Sequence, residues 1–494
     1  MIIEAIKAVF SLDALLIIVI GSIIAMITGA LPGLGPSITI ALAIPITFSM
    51  EADKALMLMG SIYTSCIYGG GITAILLGIP GTTGSAASCL DGYEMSEQGK
   101  AGTALGISLA GSTIGALIGV VLLILTSSLL IKIVLLFGPA EYFWVTALGL
   151  TIVITISKGN FLKGMIACIV GLLLSTVGMN SITGEYRYVF NTKFLYDGLS
   201  MIPVLLAFFS ISQMINLVES KRSTISVSGK ITGNVYEGLL VPIKYFWSTI
   251  QSALIGFLIG AMPGIGMSVA NWVAYAAVKQ RSAHPETFGK GDPEGLLAPE
   301  TANNATVGGS LVPTLVLGIP GSETTAVLLG AMLVHGVTPG LNLFKGAGTS
   351  TLYSFFVSLI VSSVLMLILG FIGMRYVAKV TIVPISLLVP LIIIFTFIGA
   401  FAMNSAIGDM YVVSILGILA YGMKKFGYPI VAAALGFILG PLLEKYFNLT
   451  LIICRGTIAG LAESPLAKIL IVLTLLFLGF GFYSLLPGKK ILKT

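Results

Sequence analysis

Charge is what this sequence has least of. Only 26 Lys and Arg and 20 Asp and Glu occur among 494 residues, 9% in all, where a soluble domain carries about 25%. A water-soluble globule is therefore excluded. Histidine is nearly missing: His284 and His335 stand alone, neither with a partner at ligand spacing, so neither a metal centre nor a nucleophile–base–orienter set can be assembled. The phosphate-cradling loop that ends in Lys-Ser/Thr does not occur, which argues against nucleotide-driven pumping by this chain. No catalytic residue and no cofactor is assigned, and the chain is not expected to be an enzyme. The four cysteines, Cys66, Cys89, Cys168 and Cys454, are dispersed and read as small packed hydrophobes. Arginine is down to five residues, so an anion would be held by helix dipoles and a co-ion rather than by a guanidinium clamp.

What fills the chain instead is apolar sequence. Hydrophobic residues make up 56% and mean hydropathy is +1.05. Residues 14–50, 55–90, 101–131, 245–278, 346–374 and 380–408 run without a charge, and a membrane span needs roughly 20 such residues. These blocks are too long and too uniformly apolar for barrel strands, so an all-α polytopic membrane protein with about 10 to 12 hydrophobic helical elements is expected. The net charge of +6 sits mostly between the blocks, as at Lys221, Arg222, Lys230, Lys424 and Lys425. Cytoplasmic anchoring explains it without nucleic acid and puts the 219–244 loop in the cytoplasm. The Met1–Lys7 lead lacks a signal-peptide cleavage pattern, so the first apolar block is expected to be retained.

Two stretches are written twice. Ala30-Leu31-Pro32-Gly33-Leu34-Gly35 returns as Ala261-Met262-Pro263-Gly264-Ile265-Gly266, an offset of 231 (263 minus 32), and Leu77-Gly78-Ile79-Pro80-Gly81 returns as Leu317-Gly318-Ile319-Pro320-Gly321, an offset of 240 (318 minus 78). The nine extra residues fit in the polar insert around His284 to Glu300. This divides one membrane domain into a first repeat over 1–140, connecting helices and a polar loop over 141–244, a second repeat core over 245–345, and C-terminal helices over 346–494. Proline removes a backbone donor and clashes with the preceding turn, so Pro32, Pro80, Pro263 and Pro320 are expected to break helices or make them re-entrant. Gly102, Gly106, Gly111, Gly115 and Gly119, spaced along one helix, read as a packing stripe.

A break in a membrane frees amides and carbonyls that must be buried, wetted or bound to a ligand. A half-helix that starts there aims its amides at an anion. Candidates for holding a substrate are Gly33, Gly35, Gly81, Gly264, Gly266 and Gly321, the hydroxyl residues Thr82, Thr83, Ser85, Ser322 and Thr324 that follow the second breaks, and Tyr68 on the opposite wall. The same hydroxyls could simply cap helices. Candidates for a co-ion are Asn271, Glu300, Asn303 and Asn304, whose oxygens suit Na⁺ or a proton relay and whose amides could also donate to a carboxylate. The insert residues Arg281, Lys290, Asp292 and Glu294 are expected to face water, and Asp91-Gly92-Tyr93-Glu94 reads as a turn.

Leu31–Pro36, Tyr68–Gly81, Leu90–Tyr93, His284–Gly291, Ala298–Ala305, Leu317–Gly321 and Gly336–Gly340 together resemble the large membrane subunit of the tripartite tricarboxylate transporters, in order and along almost the whole chain. The resemblance implies an inner-membrane permease for di- or tricarboxylates, symport with an ion that is often Na⁺, a periplasmic solute-binding protein, and a small four-helix membrane subunit. It is compatible with a homodimer, for which no sequence pattern speaks. One position departs from the family pattern: Glu323 stands where small residues are common, and a carboxylate there competes with an anionic substrate unless paired, protonated or turned away. An ion or neutral-solute channel and a structural membrane subunit remain as alternatives.

Overall fold

The computed structural model describes residues 2–31, 33–134, 136–156, 161–180, 184–219, 233–263, 266–345, 348–380 and 385–483. The expectations placed on Pro32, Gly264, Lys221, Arg222 and Lys230 lie outside the described residues.

The described residues form mostly helices. The first are α1 (Ile2–Val9), α2 (Leu12–Gly29), α3 (Pro36–Thr47), α4 (Ala52–Leu77), α5 (Ser88–Glu97), α6 (Ala101–Val134), α7 (Pro139–Ile156) and α8 (Phe161–Ser175). A two-residue hairpin pairs Gly178–Met179 with Tyr186–Arg187. Then α9 (Met201–Leu205) and α10 (Ser212–Glu219) are fused by a π-helical stretch, Leu206–Ile211, into one continuous span. The next group is α11 (Val235–Lys244), α12 (Phe246–Gly260), α13 (Gly266–Arg281), α14 (Pro293–Leu317), α15 (Glu323–Val334), α16 (Leu341–Phe344) and α17 (Gly348–Val380). The last are α18 (Ile385–Asn404), α19 (Ile407–Lys425), α20 (Ile430–Ile453) and α21 (Pro465–Tyr483). Among the described residues, eight helical spans are long and apolar enough to cross a membrane: α2, α4, α6, α9–α10, α17, α19, α20 and α21. Shorter apolar helices, α3, α8, α12, α15 and the Val389–Ala402 part of α18, lie among them, so hydrophobic helical elements outnumber the spans.

Two helices form the axis of the bundle. α4 is buried from Ala55 to Ile75 and α14 from Glu294 to Val316. They run antiparallel, with Gly71 against Glu300, Thr64 against Asn304, and Tyr63 against Ser310. α2 lies parallel to α4, where Gly69 packs on the Met26 carbonyl; α12 lies parallel to α14, where Gly309 packs on the Phe257 carbonyl. A side chain at either glycine would overlap backbone, so small residues are what let these helices approach. The expected stripe on α6 behaves likewise: Gly111, Gly115 and Gly119 meet Leu297, Thr301 and Ala305 of α14. α17 covers α4 through Phe355 and Leu359 against Gly60. Outward-facing positions stay apolar, as at Leu125, Leu129, Ile394 and Ile398, which is the surface hydrocarbon requires.

Proline alone does not break these helices. Pro45 lies inside α3, and Pro299 and Pro313 lie inside α14. The central helices end where a left-handed glycine precedes the Pro-Gly pair.

Candidate functional site

Gly78 (φ 63°) and Gly318 (φ 71°) close α4 and α14 in the left-handed conformation that glycine adopts without steric cost. Beyond Pro80 and Pro320 the chain turns back along the helix it has just left. Gly81 donates its N–H to the Gly70 carbonyl at 3.2 Å, and Gly321 donates to Thr314 Oγ1 at 3.3 Å. A Cβ on Gly81 would sit 2.8 Å from the Gly70 Cα, and one on Gly321 would sit 2.8 Å from the Ser310 Cα. Both returns are thus tight, and the contact partners are again 240 positions apart (310 minus 70).

Reciprocal caps follow. Thr82 N–H donates to Ser85 Oγ at 3.3 Å, and Ser322 N–H donates to Thr325 Oγ1 at 2.8 Å while Thr325 N–H donates to Ser322 Oγ at 3.2 Å. The hydroxyls of Thr82, Ser85, Ser322 and Thr325 therefore satisfy helix-start amides, as capping predicts. The halves differ just afterwards. α15 begins at once with Glu323, whereas Thr83–Ser85 forms a single 3₁₀ turn and α5 begins at Ser88. Thr83 is exposed and Thr324 is buried.

The other pair of breaks lies beside these returns. Gly33 (φ 94°) packs near Gln213, and Gly35 caps the start of α3. Pro263 is in the turn before α13, which starts at Gly266 (φ 54°) against Ser322. The Gly81 return abuts the backbone of Gly29. Ser37, in the first turn of α3, donates to Glu323 Oε1 at 3.1 Å, and Tyr63 Oη lies 2.7 Å from Ser310 Oγ and 3.1 Å from Ser322 Oγ. Asn271 of α13 donates its Nδ2 to the Gly84 carbonyl, and Asn303 of α14 presses on the same glycine. The starts of α3, α13 and α15 and the 82–85 turn therefore gather in one place.

That place holds polar atoms with no protein partner. Asn303 is 1% exposed, yet neither its Oδ1 nor its Nδ2 is hydrogen-bonded. Elsewhere on α4 and α14, Asn304 Oδ1 and Ser65 Oγ are also buried and unpartnered, although Asn304 Nδ2 donates to the Thr64 carbonyl at 3.1 Å, whereas the unpartnered Thr301 Oγ1 faces Gly111 of α6 and Tyr68 packs beside Gly370 of α17. An unmet buried polar group costs about 1–3 kcal/mol, so the Asn303 amide is expensive unless something visits it.

One turn before Asn303, the fully buried Glu300 carboxylate accepts from three hydroxyls: Ser88 of α5 on Oε1, and Ser108 (2.5 Å) and Ser112 (3.3 Å) of α6 on Oε2. Sequence reasoning named Glu300 but missed its serines, because they come from two other helices. It also misread Asp91, which lies inside α5 instead of a turn. Its Oδ1 accepts the N–H groups of Gly289 (2.8 Å), Gly291 (3.0 Å) and Asp292 (2.8 Å), and its Oδ2 accepts Tyr275 Oη at 2.9 Å. Of the insert residues expected to face water, Arg281 and Lys290 are exposed and Asp292, which caps α14, is half-exposed, but Glu294 is 8% exposed and accepts from Ser248 and Ser282.

A model of the tripartite tricarboxylate transporter TctA family matches residues 15–435. The chain belongs to this family. It is 33% identical over 456 residues to the uncharacterized 52.8 kDa protein in the TAR-I ttuC' 3' region of Agrobacterium vitis, covering 92% of this chain and 90% of that one. It is 34% identical over 235 residues to an uncharacterized protein in the TAR-II ttuC' 3' region of the same organism, covering 48% of this chain and 96% of that one. No solved structure matches the chain. As a TctA family member with eight apolar spans among the described residues, it is a multi-pass inner-membrane permease and not an enzyme.

Proposed function

We propose that this TctA family member carries a di- or tricarboxylate inward by secondary active transport, with Na⁺ or H⁺ as the coupling ion. A periplasmic solute-binding protein supplies the anion and a small four-helix membrane subunit accompanies the permease. The observation that carries this reading is the gathering of the starts of α3, α13 and α15 beside the unpartnered Asn303 amide. Each helix start carries a partial positive charge, at α15 alongside its capped amides, and Asn303 and Asn304 add neutral donors, so a carboxylate can shed water there without an arginine.

The same contacts support a duplicated and inverted unit. In each half a hairpin (α2–α3 or α12–α13) lies beside a long helix (α4 or α14) that ends in a re-entrant return, and the long helices run in opposite directions. The α2–α3 hairpin and the 318–335 return then enter from one face of the membrane, and the α12–α13 hairpin and the 78–97 return from the other. Lys100, Lys244, Lys279, Arg281 and Lys290 gather at the latter end, which the positive-inside bias makes cytoplasmic. Opening one face while the other stays closed is alternating access.

Uptake of radiolabelled citrate, malate and succinate into proteoliposomes, with the binding protein supplied and Na⁺ and pH varied separately, tests the reading. Accumulation against a gradient is expected. Equilibration without accumulation under every ion gradient would make the chain a channel.

A further inference from the structure

We infer that Glu300 carries the co-transported proton and ties its loading to movement of the half-helix that follows the first return. The inference rests on the transport reading above and names the ion that reading leaves open.

The carboxylate is 0% exposed, and its three hydrogen bonds all come from serines. Among the described residues no lysine, arginine or histidine forms an ion pair with it. The polar or titratable groups around it are Tyr68 from α4, Cys89 from α5, Ser108 and Ser112 from α6, and Thr301 on its own helix. None supplies a positive charge. A buried carboxylate without a cation is costly to keep ionised, and hydroxyl donors offset only part of that cost. A proton removes the charge at no cost in space. Space is already short here, since a Cβ on Gly71 would lie 2.6 Å from Oε2.

The donors explain how the proton is felt elsewhere. Ser88 opens α5, three residues beyond the Thr82–Ser85 turn, while Ser108 and Ser112 belong to α6, whose glycines are locked against α14. An ionised Glu300 therefore ties α5, which follows the return, to α6 through charge-assisted bonds, which are about twice as strong as neutral ones. Protonation forms one carboxyl O–H bond, removes the charge and weakens the tie. Glu300 and Asn303 lie one turn apart on α14, so the substrate group and the proton group share one helix face. The proton enters from the aqueous phase on one side and leaves to the other, so nothing but the pH gradient is consumed.

The test uses the full chain in proteoliposomes and reads two quantities for each variant: accumulation driven by a pH gradient without Na⁺, and substrate counterflow without any gradient. For Glu300→Gln the ratio of the first to the second should fall about tenfold or more, and substrate-coupled alkalinisation of a weakly buffered medium should vanish. Glu300→Asp, which keeps a titratable group, should restore a measurable ratio with a displaced pH profile. A wild-type ratio in Glu300→Gln overturns the inference, as does wild-type accumulation that follows only a Na⁺ gradient. If Glu300→Gln does not yield monodisperse protein, a pH profile for Glu300→Asp that superimposes on wild type overturns it equally. Wild-type liposomes without carboxylate counterflow overturn the transport reading itself, a failure distinct from these.

Discussion

Asn304 donates its side-chain amide to the backbone carbonyl of Thr64 at 3.1 Å, across 240 positions of sequence. That separation is also the offset between the two Ile-Pro-Gly motifs, so at the crossing of α4 and α14 the bond joins two positions that the motif offset puts in register. The same offset relates Tyr63 to Asn303: where Tyr63 fills its surroundings by bonding Ser310 and Ser322, Asn303 faces Gly84 with its amide unmet.

Asn303 and Asn304 should therefore respond differently to truncation. Asn303→Ala removes no protein hydrogen bond, so thermal stability should hold or rise by about 1 kcal/mol, while uptake falls about tenfold or more. Asn304→Ala loses its bond to Thr64 and should cost about 1 kcal/mol. Melting in detergent together with proteoliposome uptake reads both, and equal loss of stability in the two variants would contradict the assignment of Asn303 to a ligand.

The helix crossings should tolerate no extra carbon. Gly69→Ala and Gly309→Ala each drive a methyl into a backbone carbonyl, of Met26 and of Phe257, and backbone cannot swing aside as a side-chain tip can. Each should destabilise by about 1–3 kcal/mol. A melting temperature unchanged from wild type would show that the helices separate more easily than this packing allows.

Asp91 holds the insert between α13 and α14 to α5 through three backbone amides and one tyrosine hydroxyl. Asp91→Asn replaces one acceptor oxygen with a donor and weakens the rest, an expected loss of about 2–3 kcal/mol. Limited proteolysis should then cut within 284–292 faster than in wild type.

Tyr63→Phe removes the hydroxyl shared by Ser310 and Ser322 while keeping the ring. A loss of about 1–2 kcal/mol is expected. If Tyr63 only fills space, thermal unfolding of this variant will match wild type.

Much of the scaffold was readable because it is local. Glycine followed by Ile-Pro-Gly reads as a helix break from a few adjacent letters, and α4 and α14 do end at Gly78 and Gly318. The glycine stripe of α6 was legible for the same reason, whereas whether the hydroxyls after each Pro-Gly cap a helix or hold a ligand was open in the sequence. The first breaks were less so: Gly35 and Gly266 correspond in the motif, yet Gly35 has φ −71° and Gly266 has φ 54°. Partners across long separations were not legible at all. Nothing near Glu300 announces Ser88, Ser108 and Ser112, and nothing near Asp91 announces Gly289 and Gly291. Those pairings exist only once α4, α5, α6 and α14 share one core, and the antiparallel run of α4 and α14 is likewise a property of contacts, not of letters.

The two returns are sealed by backbone pressed on backbone, Gly81 on Gly70 and Gly321 on Ser310. Backbone has no rotamer with which to yield, so any displacement of either return has to carry the whole segment with it, and a methyl added at Gly81 or Gly321 would lever it off the helix it lies on.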